Sequence, residues 1–205
     1  VVGENVTVNL TANAAVAVEK ETATGGGSDG SVTVSSGDNN VTSQVSVSTS
    51  DALQSAISAI EDDSSQQIKL SADITATSAI TIPANKTVVL DLNGCAYTNE
   101  SGDAITNNGT LTLLNGTITA LNAVVRNGGN AKLTVSSGTY TSTGNIAFTI
   151  AVGATGSQIE IKGGTVKALE SCVATLKEVS TSTINISGGT FTSIDNSVIS
   201  DNGSR

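Results

Sequence analysis

The chain has 205 residues, 38% of them apolar, with 9 basic residues against 18 acidic ones, a net charge of −9 and no histidine. A surface so acidic, with its Lys and Arg scattered singly, excludes nucleic acid as a partner, since phosphates demand clustered cations, and no stretch nears the ~20 apolar residues of a membrane span. Aromatics make up only 2%, Met and Trp are missing and there is one Pro, so small β-branched side chains are expected to fill the core.

The chain opens with "VVGEN", lacking Met and a charged-then-apolar leader, as expected where a leader or a longer native start has been removed. "ENVTVNLT" and "AVAVE" alternate like strands, and "TATGGGSDGS" at residues 22 to 31 is a glycine and serine spacer. Residues 1 to 44 read either as an arm that orders on a partner, such as a capsid or surface anchor protein, or as one or two irregular coils of the downstream unit. That second unit is residues 45 to 205. Its "TSDALQSAISAI" puts Leu53, Ala56, Ile57 and Ile60 on one stripe, which predicts a helix near residues 50 to 61 with Ser50 as N-cap and Asp51 in the first turn. Such a helix closes the N-terminal end and covers an edge strand.

Five segments then repeat: "LDLNGCAYT" from Leu90, "LTLLNGTIT" from Leu111, "LTVSSGTYT" from Leu133, "IEIKGGTVK" from Ile159 and "INISGGTFT" from Ile184, with starts 21, 22, 26 and 25 residues apart. Apolar residues fall at the first, third and eighth places and polar ones lie between, so each segment is a strand with one buried face. An Asn, Ser or Gly pair before the eighth place, such as Ser137 and Gly138, permits a sharp corner. A second motif follows each segment and predicts a column of small residues, Ala104, Ala123, Ala147, Cys172 and Ser197, beside an apolar column, Ile105, Val124, Phe148, Val173 and Val198.

Strands at this period, joined by turns too short for crossover helices, predict an all-β, single-stranded parallel β-helix in which each coil buries its apolar residues only by stacking on the last. The run "SADITATSAITIPANKTVVLDLNG" followed by "NNGTLTLLNGTIT" resembles the right-handed, pectate-lyase-like β-helix modules of bacterial surface proteins and of bacteriophage fibres and decoration proteins. The resemblance covers roughly residues 45 to 205 and implies right-handed winding, in keeping with the general preference of parallel crossovers. It implies no single activity, because this architecture hosts lyases, hydrolases, adhesins and inert rods.

Without histidine, the usual base of Ser and Cys nucleophiles and the commonest transition-metal ligand are gone. The resemblance directs attention to Arg126, the only arginine in the repeats, and to Asp91, Asp103 and Glu160, since lyases of this fold pair a basic residue with acids; the spacing supplies no such company, and Arg126 reads as a solvated turn residue. Asp91 and Glu160 share the second place of their segments but lie three coils apart, at roughly 4.8 Å per coil, with Thr112 and Thr134 between. "GGGSDGSV" at residues 25 to 32 is a single imperfect copy of a calcium-type repeat and reads as linker. Cys95 takes the place of a corner glycine and Cys172 that of a small residue three coils on, too far apart for a disulfide, which predicts two free thiols and assembly inside a reducing cell. No metal or cofactor site is expected. The Asn-x-Ser/Thr triplets starting at Asn5, Asn9, Asn85, Asn108, Asn115 and Asn185 are what this composition produces by chance.

The most informative surface feature is a threonine ladder: Thr117, Thr139, Thr165 and Thr190 in one file, Thr119, Thr141 and Thr192 in another that Lys167 interrupts. Threonine stacks well on itself in sheets, and the same hydroxyl files could meet glycans or, as on β-helical ice-binding proteins, ice. The sequence therefore points to a non-enzymatic structural or adhesive module, a rigid fibre or decoration displayed outside a virion or bacterial cell. A polysaccharide lyase or glycosidase, and an ice-binding protein, are the alternatives. Whether copies associate, for instance as a trimer, is left open.

Overall fold

The computed structural model describes residues 16–18, 32–34, 44–175, 181–195 and 198–201. It is a parallel β-solenoid of about seven turns. Three sheets form its faces. Face A continues through Gln44–Val47, Ser65–Leu70, Thr87–Asp91, Thr110–Leu114, Lys132–Val135, Gln158–Ile161 and Thr183–Ile186, each parallel to the next. Face B comprises Ile74–Ala76, Ala96–Asn99, Thr117–Ala120, Thr139–Ser142, Thr165–Ala168 and Thr190–Ser193. Face C comprises Ile80–Ile82, Ile105–Asn107, Val125–Asn127, Phe148–Ile150, Val173–Thr175 and Ile199–Asp201.

Because side chains alternate along a strand, parallel in-register pairing turns each inward position into a file running along the axis. Tyr97, Ile118, Tyr140, Val166 and Phe191 form such a file on face B, at the predicted eighth place. On face A the predicted first places align for Leu111, Leu133, Ile159 and Ile184, but Leu90 pairs with Leu113 and Val88 stands opposite Leu111. The cause is a longer corner: Leu92, Asn93, Gly94 and Cys95 separate Thr87–Asp91 from Ala96–Asn99, where only Asn115 and Gly116 separate the corresponding strands of the next coil. Asn93 and Gly94 both take positive φ, 52° and 79°, and so accommodate the two additional residues in a tight reversal.

The second predicted column slips by one residue in two coils. The inward file is Ile105, Val125, Phe148, Val173 and Ile199, so Val124 and Val198 fall one place before it; Ser197 lies outside the described residues. In "NAVVRNG" two adjacent valines blur the alternation, and the turn into face C buries both.

The interior is mostly Ile, Leu and Val, each worth about 1.5–3 kcal/mol when fully buried. Yet the few rings are also inside: Tyr97, Tyr140 and Phe148 are fully buried, and the Tyr140 and Phe148 ring centroids lie 5.5 Å apart at a tilt of 58°. The Tyr140 hydroxyl donates to the Ser137 carbonyl. The Tyr97 hydroxyl makes no hydrogen bond among the described residues, and burial raises its pKa; Ser50 offsets part of that shift without reaching hydrogen-bond geometry.

The predicted helix spans Ser50–Ser58, and its cap is Thr49, one residue before the expected Ser50: Thr49 is extended and its side chain accepts from the Ala52 amide at 3.1 Å. Leu53, Ile57 and Ile60 are buried in the common core and Ala56 packs beside it. The helix also satisfies a sheet edge. Gln54 accepts from the Thr81 amide at 2.8 Å and donates to the Thr81 carbonyl at 3.1 Å, as a neighbouring strand would. Of the predicted arm, Val16–Val18, Val32–Val34 and Gln44 are described; Val16–Val18 and Val32–Val34 pair antiparallel with each other, and Val32–Val34 pairs antiparallel with Gln44–Val47. The predicted linker at residues 22 to 31 and the "GGGSDGS" within it lie outside the described residues.

Candidate functional site

Face B carries the predicted ladder. Thr117, Thr139, Thr165 and Thr190 stand opposite one another across four successive coils, and Thr119, Thr141, Lys167 and Thr192 form the second file. Inward Ile118, Tyr140, Val166 and Phe191 between them fix the threonines outward, so the β-branched residues anchor the sheet with one face and present hydroxyls with the other. Along each file the repeat is roughly 4.8 Å. The pattern also extends beyond the predicted residues: Thr75 and Thr98 continue the second file toward the N-terminus, while Ala96 ends the first. The signal for Thr98 was present as the ninth place of "LDLNGCAYT", in register with Thr119, but Ala96 at the seventh place broke the paired threonine pattern.

Exposure rises toward the C-terminal coils: Thr117, Thr119, Thr139, Thr141 and Thr165 are half-buried, and Lys167, Thr190 and Thr192 are exposed. None of the outward residues on the strands of this face is a carboxylate, although the chain has 18 Asp and Glu. Lys167 is the one charge. Beside it a shallow groove of about 300 Å³ is lined by Thr141, Ser142, Thr143, Lys167, Ala168, Leu169, Thr192 and Ile194. Its lining combines the hydroxyl-bearing Thr141, Ser142, Thr143 and Thr192 with the apolar Ala168, Leu169 and Ile194.

The acids considered for catalysis are dispersed. Asp103 is bound by Arg126, Nε to Oδ2 at 2.6 Å and Nη2 to Oδ1 at 3.0 Å, and accepts from the Ala123 amide at 3.0 Å. Burial pushes the Asp103 carboxyl up, but the hydrogen bonds from Arg126 and Ala123 and the guanidinium charge outweigh it, and its pKa is lowered. Arg126 is thus a strand residue in a bidentate pair and not the solvated turn arginine the sequence suggested. Asp91 and Glu160 do not share a file: Asp91 is opposite Leu114, and Glu160 is opposite Thr134. Asp91 accepts from the Asn93 amide and from Asn115 Nδ2, bracing a corner, and Glu160 pairs with Lys162 at 3.1 Å on the surface. Among the described residues no three His, Cys, Asp or Glu side chains group to hold a metal ion, and no helix is long and apolar enough to cross a membrane.

Both cysteines are free thiols. Cys95 does occupy the corner position of Gly116, its carbonyl accepting from the Thr117 amide as the Gly116 carbonyl accepts from Thr139. Cys172 is buried, burial raises its pKa, and its thiol donates to the Thr192 carbonyl at 3.2 Å. The repeats also conceal a buried polar pair. Asn107 and Asn127 stack inside at the end of face C: Asn107 Nδ2 donates to Asn127 Oδ1 at 2.9 Å and to the Lys132 carbonyl at 3.0 Å, Asn107 Oδ1 accepts from the Gly109 amide at 3.2 Å, and Asn127 Nδ2 donates to the Gln158 carbonyl at 3.0 Å. The motifs "TNNG" and "RNGG" were its only trace in the sequence.

No family model, curated protein or solved structure matches the chain.

Proposed function

We propose that this chain is a non-enzymatic structural and adhesive module of the pectate-lyase-like β-helix kind, a rigid rod displayed on a virion or bacterial surface, carried by residues 1 to 44 and binding glycans weakly along face B. The observation that supports this reading best is the register of the two hydroxyl files across successive coils, on a face whose strands bear no outward carboxylate. Such a surface offers many equivalent weak contacts in place of one deep pocket, which suits attachment to a repeating polymer by avidity. The separate structural engagements of Asp91, Asp103 and Glu160 support a role without bond cleavage, since glycoside hydrolysis needs two carboxyl groups about 5–10 Å apart across the scissile bond.

The test is a panel of polysaccharides titrated by calorimetry, with the same samples assayed for new reducing ends and for unsaturated products. Binding with Kd on the order of 1 mM per site, weakened by Thr141→Val and Thr192→Val, with no product, is the expected result. Product formation would establish the depolymerase instead, and no binding to any polymer would remove the glycan role. The paired hydroxyl files also favour a second reading, ice binding, for which thermal hysteresis at high protein concentration is the direct measurement. Chemical cross-linking of residues 1 to 44 in the native assembly would identify the anchor protein.

A further inference from the structure

Face B bears one charge, and it stands where unengaged hydrogen-bond donors collect. Lys167 lies between Thr141 and Thr192 in the second hydroxyl file, with a described coil on either side of it. Its side chain is exposed and, among the described residues, makes no ion pair or hydrogen bond; the ion pairs there are Arg126 with Asp103 and Lys162 with Glu160. Glu170 and Asp195, which follow the groove residues Leu169 and Ile194 in the chain, do not pair with it. The Thr141 and Thr192 hydroxyls are likewise unengaged among the described residues, whereas those of Ser142 and Thr143 donate to the Asn122 and Ala120 carbonyls. An ammonium supplies three donors and no acceptor. Three successive donor groups spaced roughly 4.8 Å apart along one file therefore suit a group that only accepts, a carboxylate above all. The same groove has an apolar part. Ala168 and the half-buried Leu169 line it together with Lys167, and the Leu169 amide still bonds to the Ser142 carbonyl, so the strand spacing holds to that point. Lys167 and Leu169 are thus about 6–7 Å apart along the chain, a span that two substituents on one sugar ring cover.

We propose that this groove is a subsite for a sugar carrying both a carboxylate and an acylamino group, an inference that rests on the glycan-binding reading of face B. The carboxylate sits on Lys167, with the Thr141 and Thr192 hydroxyls donating beside it, and the acyl methyl packs against Leu169 and Ala168. A neutral sugar would take water from the ammonium and return no counter-charge, and an acidic sugar without the acyl group would set hydroxyls against Leu169. The chain's net charge of −9 does not prevent the contact, because charges more than about 8 Å away are largely screened at physiological ionic strength. Lys167 acts at contact distance. A shallow groove of about 300 Å³ holds one such sugar weakly, and a polymer that repeats the sugar gains by rebinding.

Calorimetry of the 205-residue chain with four soluble ligands tests this: poly-N-acetylneuraminate, which carries both groups, polygalacturonate with the carboxylate alone, N-acetylglucosamine oligosaccharides with the acylamino group alone, and dextran with neither. The first is expected to bind at least about tenfold more tightly than each of the others, the equivalent of ~1.4 kcal/mol. Lys167→Gln should erase its advantage over the N-acetylglucosamine oligosaccharides. Leu169→Thr, which copies Thr143 at the equivalent place one coil earlier, should erase its advantage over polygalacturonate. Lys132→Gln, which removes an exposed lysine from face A, should change neither, and circular dichroism should show all three variants folded. Equal binding of the four ligands, a preference that survives Lys167→Gln or Leu169→Thr, or an equal loss on Lys132→Gln would each overturn the proposal while leaving face B a glycan-binding surface. Binding of none of the four would overturn the proposal and count against that reading too.

Discussion

Asn107→Ala should cost far more than a surface asparagine, and the excess should depend on Asn127. Truncation leaves the buried Gly109 amide and Asn127 Oδ1 without the partners they have now, while the Lys132 carbonyl keeps its place in the face A ladder. Each orphaned buried polar group costs about 1–3 kcal/mol, so the single substitution should destabilise by about 2–6 kcal/mol. Asn127→Ala leaves Asn107 Nδ2 still bonded to Lys132 and should cost about 1–3 kcal/mol. In the double variant the orphaned Asn127 Oδ1 no longer exists, so its cost should fall short of the sum by about 1–2 kcal/mol. Urea unfolding of all four proteins, followed by circular dichroism, measures the cycle, and unequal m-values would reveal coils melting separately, as solenoids can. Additivity within about 0.5 kcal/mol would show that the two amides do not act as one buried network.

Asp103 has a depressed folded pKa, so its ion pair contributes stability above the unfolded carboxyl value of 3.8 and loses it as pH falls through the folded value; Asp103→Asn should flatten the acid limb of a pH–stability curve below about pH 4 and leave the neutral region offset by a constant amount. Cys172, buried and with its pKa raised, should react with a thiol reagent much more slowly than half-buried Cys95 in the folded protein, and both should react at once in denaturant. Gly138→Ala should destabilise by more than about 2 kcal/mol, since φ there is +116° and a Cβ would lie 2.8 Å from the Gly116 carbonyl, whereas Gly94→Ala, at φ +79° with open space around it, should cost only about 1 kcal/mol of backbone strain. Equal losses in thermal melts of the two glycine variants would refute that contrast.

The fold was readable because stacking repeats a local constraint: one inward Ile or Val per strand in successive coils leaves a period that survives wide variation at other places. Tyr97, Ile118, Tyr140, Val166 and Phe191 differ in size yet hold one file. Registers failed where the corner, not the strand, set the phase. Two additional residues at Asn93 and Gly94 shifted Leu90 against Leu111, and adjacent valines hid which of Val124 and Val125 faces inward. Partnerships across coils were harder still. Asp103 and Arg126 lie 23 residues apart in sequence and meet because neighbouring coils bring them together, which no local spacing rule encodes. The threonine files were visible because they inherit the strand period, but that the outward strand positions of faces B and C carry no carboxylate, while face A carries Asp91 and Glu160, emerges only when the three faces are separated.

That separation bears on what such a chain can do. Parallel in-register stacking commits every second residue to the axis and leaves the alternate residues nearly free, so an outward file can change composition without touching the core. Face A mixes Lys132, Glu160 and Lys162 along its outer side, while face B keeps hydroxyls across four coils and admits a single lysine. Intrinsic strand preference accounts for threonine on any face, and face C, whose alternate strand positions are Thr81, Thr106, Arg126, Thr149, Ala174 and Ser200, bears no carboxylate there either; what sets face B apart is two hydroxyl files in register. Such files suit a contact surface, whereas a field of carboxylates would stay hydrated and resist close approach by a neutral or acidic polymer. Introducing glutamate at Thr119 and Thr141 together should therefore leave the melting temperature within a few degrees, since both side chains point outward, while abolishing whatever binding face B supports; unchanged binding in the folded double variant would reduce the threonine files to sheet packing alone.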